Sequence, residues 1–214
     1  MFNWYSFFSF IILIPASIAI GKFAVMDKAF KPLAYNLWIG VTSEITAYIF
    51  MITIKNNLYV YNVFMLLDFL SLVWLFKNWG AFDRISKAKK VAFLCIILLV
   101  WVYDNFYLHT LGSNNIIFRI CYSMILLLIA IDQLNNVVIK NGGYLKVNPY
   151  IYTCIGIIFY YAYSIFIGLF NSSLFQPTAQ LWKWNTLIYV IINVITNLLF
   201  AISLLWMRKK VKYT

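Results

Sequence analysis

Residues 36–77 read NLWIGVTSEITAYIFMITIKNNLYVYNVFMLLDFLSLVWLFK. Two apolar runs flank a tight polar turn, Lys55-Asn56-Asn57, and each run carries one carboxylate near its middle, Glu44 and Asp68. Both acids lie equally far from Asn56, and in an antiparallel helical hairpin equal distance from the turn means equal depth. At a rise of ~1.5 Å per residue, both fall roughly 18 Å from the turn, near the middle of a ~30 Å hydrocarbon layer. Carboxylates at that depth are costly and call for a partner or a function.

The rest of the chain agrees with a membrane setting. Of its 214 residues, 64% are hydrophobic and only 11% charged, more apolar surface than one soluble core can bury. The net charge of +11 does not point to nucleic acid, because the basic residues fall between apolar runs rather than along one helical face. Cys95, Cys121 and Cys154 each lie within an apolar run without metal-ligand spacing, so they read as small packing residues. No metal and no cofactor are expected. The N-terminus lacks the basic region and cleavage pattern of a signal peptide, so it reads as a retained first span.

Apolar runs of spanning length predict an all-α fold, one domain of seven transmembrane helices over about 4–21, 33–54, 58–76, 91–108, 115–134, 149–170 and 184–207. Pro15 falls inside the first run as an expected kink, and Pro32 and Pro149 fit helix starts. Gly142-Gly143 and Pro177 punctuate the loops.

Lysine and arginine placement sets the orientation. With the C-terminus in the cytoplasm, Lys22, Lys28, Lys31, Lys77, Arg84, Lys87, Lys89, Lys90, Lys140, Lys146, Arg208, Lys209, Lys210 and Lys212 all fall inside. Lys55 and Lys183 fall outside, and Arg119 lies within a span. Every loop alternates correctly only for seven spans, with the N-terminus outside. Trp4, Trp79, Trp182, Trp184 and Trp206 sit near span ends, where indole rings favour the interface. The expected location is the bacterial inner membrane.

Four acids, Glu44, Asp68, Asp104 and Asp132, and one base, Arg119, lie in the spans. Asp104 lies four residues before the end of the fourth span and Arg119 four after the start of the fifth, at the same outer depth, so an ion pair locking the two helices is expected. The alternative is that Arg119 meets an anionic ligand from outside. Glu44 and Asp68 have no base at their depth. If they meet, they cannot both ionise easily, an arrangement suited to proton relay, cation binding or acid catalysis. Otherwise each bonds a neighbouring polar side chain such as Thr42, Ser43, Asn62 or a tyrosine, and serves helix association. Asp132, beside Gln133, Asn135 and Asn136, reads as interfacial.

Polar residues also recur at helical spacing: Asn36, Gly40, Glu44 and Ala47; Tyr61, Met65, Asp68 and Leu72; Thr186, Tyr189, Asn193 and Asn197. Such stripes face a bundle interior. They predict a polar cavity with Glu44, Asp68, Asn62, Asp104, Arg119, Asn193 and Asn197 as candidate ligand contacts, and Glu44 and Asp68 as the candidates for any catalysis. His109, the only histidine, falls in an outer turn, which argues against a histidine triad or metal site.

A weak internal echo pairs Ser71-Leu72-Val73-Trp74 with Ser203-Leu204-Leu205-Trp206, and Ile39-Gly40 with Ile155-Gly156. It implies a three-plus-one-plus-three helix plan of the kind some transporters use.

The hairpin, with its mid-span acid, Asn-Asn-Leu-Tyr turn, Tyr61-Asn62 and Leu67-Asp68-Phe69, resembles small seven-span proteins of Bacteroidota-type bacteria, a likeness that implies no activity. The Phe-Lys-Pro-Leu stretch, Phe30 to Leu33, is similar to one in lysoplasmalogenase-type membrane hydrolases, which implies lipid hydrolysis by two carboxylates. This chain departs from them in lacking their following Gly-Asp pair and in having seven spans rather than eight. The three-plus-one-plus-three plan and orientation resemble seven-span sugar exporters, without their paired prolines.

Three functions fit. The first is a sensor or accessory protein of a signalling or phage-defence system, binding a small or lipidic ligand or a membrane partner in its polar interior. Its basic face, residues 77–90 and the tail, would dock anionic lipid or a cytoplasmic protein. The second is an intramembrane lipid hydrolase, and the third a small proton-coupled transporter.

Overall fold

The computed structural model describes residues 8, 10–83, 85–140, 148–170 and 178–207. Arg84, Gly142-Gly143, Lys146, Pro177, the basic tail from Arg208 and the beginning of the first span, with Trp4, lie outside the described residues, as does the side chain of Lys140. Regular structure among the described residues is helical throughout. Seven helices follow in order: α1 (Leu13–Lys22), α2 (Lys31–Thr53), α3 (Leu58–Asn78), α4 (Lys87–Val102), α5 (Ile116–Lys140), α6 (Pro149–Phe170) and α7 (Ala179–Trp206). A 3₁₀ turn, Phe10–Ile12, leads into α1, and a π-helical turn, Tyr103–Leu108, extends α4.

Five of these helices, α3 to α7, are long and apolar enough to cross a membrane, so the chain is a multi-pass membrane protein. The described part of the first span, Phe10–Lys22, is shorter. Helix α2 has 23 residues, but Asn36, Glu44 and its hydroxyl side chains dilute its hydropathy. The expected bounds of the second, third and sixth spans agree with α2, α3 and α6 to within two residues. Helices α4 and α7 begin earlier and α5 ends later, because backbone bonding continues past the apolar run into flanks such as Lys87-Ala88-Lys89-Lys90. Pro15 lies in the first turn of α1, next to the switch from 3₁₀ to α, where its missing N–H leaves few helix bonds unmade.

Local signals explain the ends. Lys55 takes a left-handed conformation (φ 59°) in the hairpin turn, and the Asn56 side chain accepts from Leu58 N at 3.0 Å to start α3. Helix α3 ends in a Schellman motif: Gly80 (φ 86°) follows the C-cap, and Ala81 N donates to Phe76 O at 3.0 Å. Ser86 and Thr178 cap α4 and α7.

Helix neighbours form a closed ring, α1–α2–α3–α5–α6–α7 and back to α1. Helix α4 lies against the outside of the ring, with Ile97 as its only buried residue. The ring therefore divides into two triplets, α1–α3 and α5–α7, joined through α4. Residues of the sequence echo make comparable contacts in each triplet. Ser71 of α3 accepts from Asn36 of α2 at 2.8 Å, and Ser203 of α7 bonds Thr153 of α6 at 2.7 Å. The outer faces of the helices present apolar side chains such as Ile45, Leu67, Leu99, Leu128, Phe159 and Leu198, while the ring interior holds most of the polar ones.

Contacts also fix which ends lie together. The Lys22 ammonium of α1 donates to the terminal carbonyls of α7, Leu204 O and Leu205 O, at 3.0 and 2.6 Å. Phe30, Trp79 and Tyr150 form an aromatic box with centroids 4.7–5.3 Å apart, and Trp79 Nε1 donates to Ala29 O. The end of α1, the start of α2, the end of α3, the start of α6 and the end of α7 thus share one face with Lys22, Lys28, Lys31 and Lys77. At the opposite face Asn56 and Asn62 hold the 109–114 turn.

Glycines set the closest helix approaches. A Cβ on Gly156 would meet the Phe200 ring at 2.9 Å, whereas one on Gly21 meets nothing within 4 Å. Gly156→Val is expected to lower stability by about 1–3 kcal/mol through overpacking, and Gly21→Ala to stay within about 0.5 kcal/mol of the parent. Thermal unfolding of the purified protein in detergent checks both; equal midpoints for the two variants would contradict this packing.

Candidate functional site

The ring encloses two chambers. The upper, on the face away from the lysine-rich end, has a volume of about 310 Å³ and is lined by residues of α2, α3, α5, α6 and α7. The lower holds about 70 Å³, and Asn36, Asp68, Asn193 and Asn197 lie on its wall. Glu44, Phe64, Tyr160 and Tyr189 border both chambers and form the neck between them.

The sequence stripes produce this arrangement. Asn36, Gly40 and Ala47 of α2 are buried and Glu44 is half-buried, all on the interior face. The interior stripe of α7, from Thr186 through Tyr189 and Asn193 to Asn197, runs down both chambers. Glu44 and Asp68 look onto the same lower chamber, as their equal depth requires, but each has its own partner. Asn36 Nδ2 donates to one Asp68 oxygen at 2.7 Å and the Tyr161 hydroxyl to the other at 2.5 Å, so a single carboxylate ties α2, α3 and α6 together. Asp68 is fully enclosed, at 4% exposure. The Tyr61 hydroxyl is the side-chain partner of Glu44. The acids therefore do not form a proton-sharing dyad.

The expected Asp104–Arg119 ion pair is absent. Asp104 has no exposed surface; its Oδ2 accepts from Phe118 N at 2.8 Å and its Oδ1 meets His109 Nδ1 at 3.1 Å. The π turn at the end of α4 delivers this carboxylate to the first turn of α5, where free N–H groups and the helix dipole stabilise a negative charge. Asn105 and Asn115 are buried beside it and bond each other at 2.7 Å. Released from Asp104, the half-buried Arg119 lines the upper chamber, and no described carboxylate lies within ion-pair distance of it.

Two other candidates have structural work to do. Asn62 donates both amide hydrogens to Leu111 O and Ser113 O, which pins the 109–114 turn to α3 and leaves Asn62 off the walls of both chambers. Asn197 donates to Asn193 at 2.9 and 3.0 Å, and both remain on the lower chamber wall. Asp132 is exposed and accepts from Asn136, in keeping with an interfacial place.

The sequence reading allowed a tyrosine as partner of these acids without saying which: Tyr61 serves Glu44 and Tyr161 serves Asp68, and beside Thr186 of the α7 stripe the upper wall also holds Ser164 and Asn185, which the sequence reading missed. Ser164 is bonded to Ser123, and Asn185 accepts from Tyr163. Tyr160-Tyr161 and Tyr163-Ser164 are visible as a polar run on α6, but aromatic runs are so common in membrane spans that the run alone carries little weight. Among the described residues no group of His, Cys, Asp or Glu could hold a metal ion. Comparison of the chain with protein-family models, curated proteins and solved structures finds no match.

These partnerships separate structural charges from free ones. Asp104→Ala is expected to cost about 1–2 kcal/mol, the loss of a helix cap. Asp68→Ala leaves one Asn36 N–H and the Tyr161 hydroxyl without an acceptor and costs about 2–5 kcal/mol. Arg119→Gln, by contrast, changes stability by less than about 0.5 kcal/mol. Chemical or thermal unfolding of the three variants tests this; matching losses for Asp104→Ala and Arg119→Gln would restore the ion pair.

Proposed function

We propose that the chain is a seven-span inner-membrane protein, N-terminus outside and C-terminus in the cytoplasm, that binds a small or lipidic ligand in its upper chamber. It acts as a sensor or accessory protein, with the lysine-rich face as its cytoplasmic docking surface. One observation carries the binding reading: a carboxylate and a guanidinium, Glu44 with a single phenol for partner and Arg119 with no described carboxylate near it, face one chamber, while Asp68 and Asp104 have both oxygens engaged within the chain. Charges in hydrocarbon are expensive, and those turned toward a polar cavity are the mark of a binding or conduction path.

The clustering of Lys22, Lys28, Lys31 and Lys77 at one end supports the orientation. A seven-span count also lets α2 cross as an interior helix, its polar stripe shielded by its neighbours. A second reading, a small transporter, draws on the two three-helix halves around the chambers. The hydrolase draws least support, because both Asp68 oxygens already accept hydrogen bonds.

A thermal-shift screen of the purified protein against soluble metabolites and lipids tests the binding reading. A ligand at a hundred times its Kd stabilises by about 2.7 kcal/mol. That gain is expected in the parent and absent in Ser164→Trp, which fills the upper chamber. Equal shifts in parent and variant would contradict it. Orientation is read from single cysteines on a cysteine-free background. Lys55→Cys should react with an impermeant maleimide in intact cells and Lys87→Cys only after lysis; the reverse pattern would invert the topology.

A further inference from the structure

The distribution of answered and unanswered charges says what kind of ligand the upper chamber takes. Asp68 has Asn36 and Tyr161; Asp104 has Phe118 N and His109; Lys22 has two carbonyls of α7. The two charges on the wall of the upper chamber are answered less fully. Arg119 has no carboxylate within 4.0 Å among the described residues, and Glu44 has one phenol. They have opposite signs, so a ligand that answers both carries both signs itself.

Geometry spaces them for one compact molecule. Glu44 borders both chambers at the neck, whereas Arg119 of α5 lines the upper one alone, so the acid marks the deep end of the chamber and the base lies above it. The deep, acidic part of the chamber is walled by Tyr61, Phe64, Tyr160 and Tyr189. Carboxylate plus aromatic faces is the chemistry that holds an ammonium group. Nearer the mouth, the planar fork of Arg119 suits a carboxylate or phosphate, with Asn185 and Thr186 on the same wall. A volume of about 310 Å³ lies at the small end for ligand pockets and excludes a whole diacyl lipid.

We infer that the upper chamber binds a zwitterion, an ammonium group on Glu44 and an acidic group on Arg119, either as a free small molecule or as the head group of a zwitterionic lipid whose chains stay outside. This rests on the binding reading above and narrows it to one chemical class.

The test titrates phosphoethanolamine, ethanolamine and inorganic phosphate into the purified protein in an uncharged detergent and reads affinity calorimetrically. The zwitterion should bind at least tenfold more tightly than either half. Glu44→Gln should weaken phosphoethanolamine and ethanolamine at least tenfold but leave phosphate unchanged; Arg119→Gln should weaken phosphoethanolamine and phosphate but leave ethanolamine unchanged. Glu44→Asp and Arg119→Lys, which keep the charges, should retain intermediate affinity, and unfolding scans without ligand show that each variant is folded. Phosphate binding as tightly as the zwitterion, or indifference to Glu44→Gln, would overturn the inference while leaving a ligand chamber. Silence toward all three probes, with other compounds still displaced by Ser164→Trp, would do the same. Binding that Ser164→Trp does not touch would overturn the chamber itself. For the source, nanodiscs of phosphatidylethanolamine and phosphatidylglycerol are compared. Stabilisation only by the former assigns a lipid head group, and equal behaviour with tight phosphoethanolamine binding assigns a soluble ligand.

Discussion

A fully enclosed carboxylate on α3, held by an amide from α2 and a phenol from α6, sets the plan of this molecule. In hydrocarbon no water can answer Asp68, so the neighbouring helices must. That requirement draws α2, α3 and α6 around one point and turns their polar stripes inward. The rest of the ring closes on them, with α7 between α6 and α1. The same rule recurs nearer the ends of the bundle. Asp104 is answered by a helix N-terminus and Lys22 by a helix C-terminus, so backbone dipoles do what counter-ions would otherwise do.

Against that rule the upper chamber stands out. Its acid and its base line one chamber without pairing: Glu44 has the Tyr61 hydroxyl, and no described carboxylate lies within ion-pair distance of Arg119. The lower chamber continues the polar path past the neck formed by Glu44, Phe64, Tyr160 and Tyr189 toward Asp68. Glu44 therefore borders directly on the hydrogen-bonded centre that ties the helices. The two chambers thus form one polar route from the upper chamber toward the lysine-rich end, which the proposed sensor and a transporter would use equally.

Much of the fold was legible because membrane spans declare themselves by composition. The Asn56-Asn57 turn and the equal spacing of Glu44 and Asp68 sufficed to place both acids at one depth facing one cavity. The stripes of α2 and α7 named most of the chamber wall. What could not be read were choices among partners at the same depth. Asp104 had two candidates, the guanidinium of Arg119 and the N–H groups of the same helix, and the π turn after Val102 decided for the latter. Asn62 lay on the right helix but beside the interior stripe, and it serves the 109–114 turn. Tyr161 could be told from Tyr160 only by helix rotation, and the two do different things: one holds Asp68, the other borders both chambers.

Glu44 faces the upper chamber, and Ile45, its neighbour with 47% exposure, the outer face of the bundle. Cysteine accessibility distinguishes the two faces, on a background with Cys95, Cys121 and Cys154 replaced. Glu44→Cys should react with a small charged methanethiosulfonate added to membranes from outside, and Ile45→Cys should not. Reaction at 45 with silence at 44 would mean that the helix faces the other way and that the chamber is not a binding site.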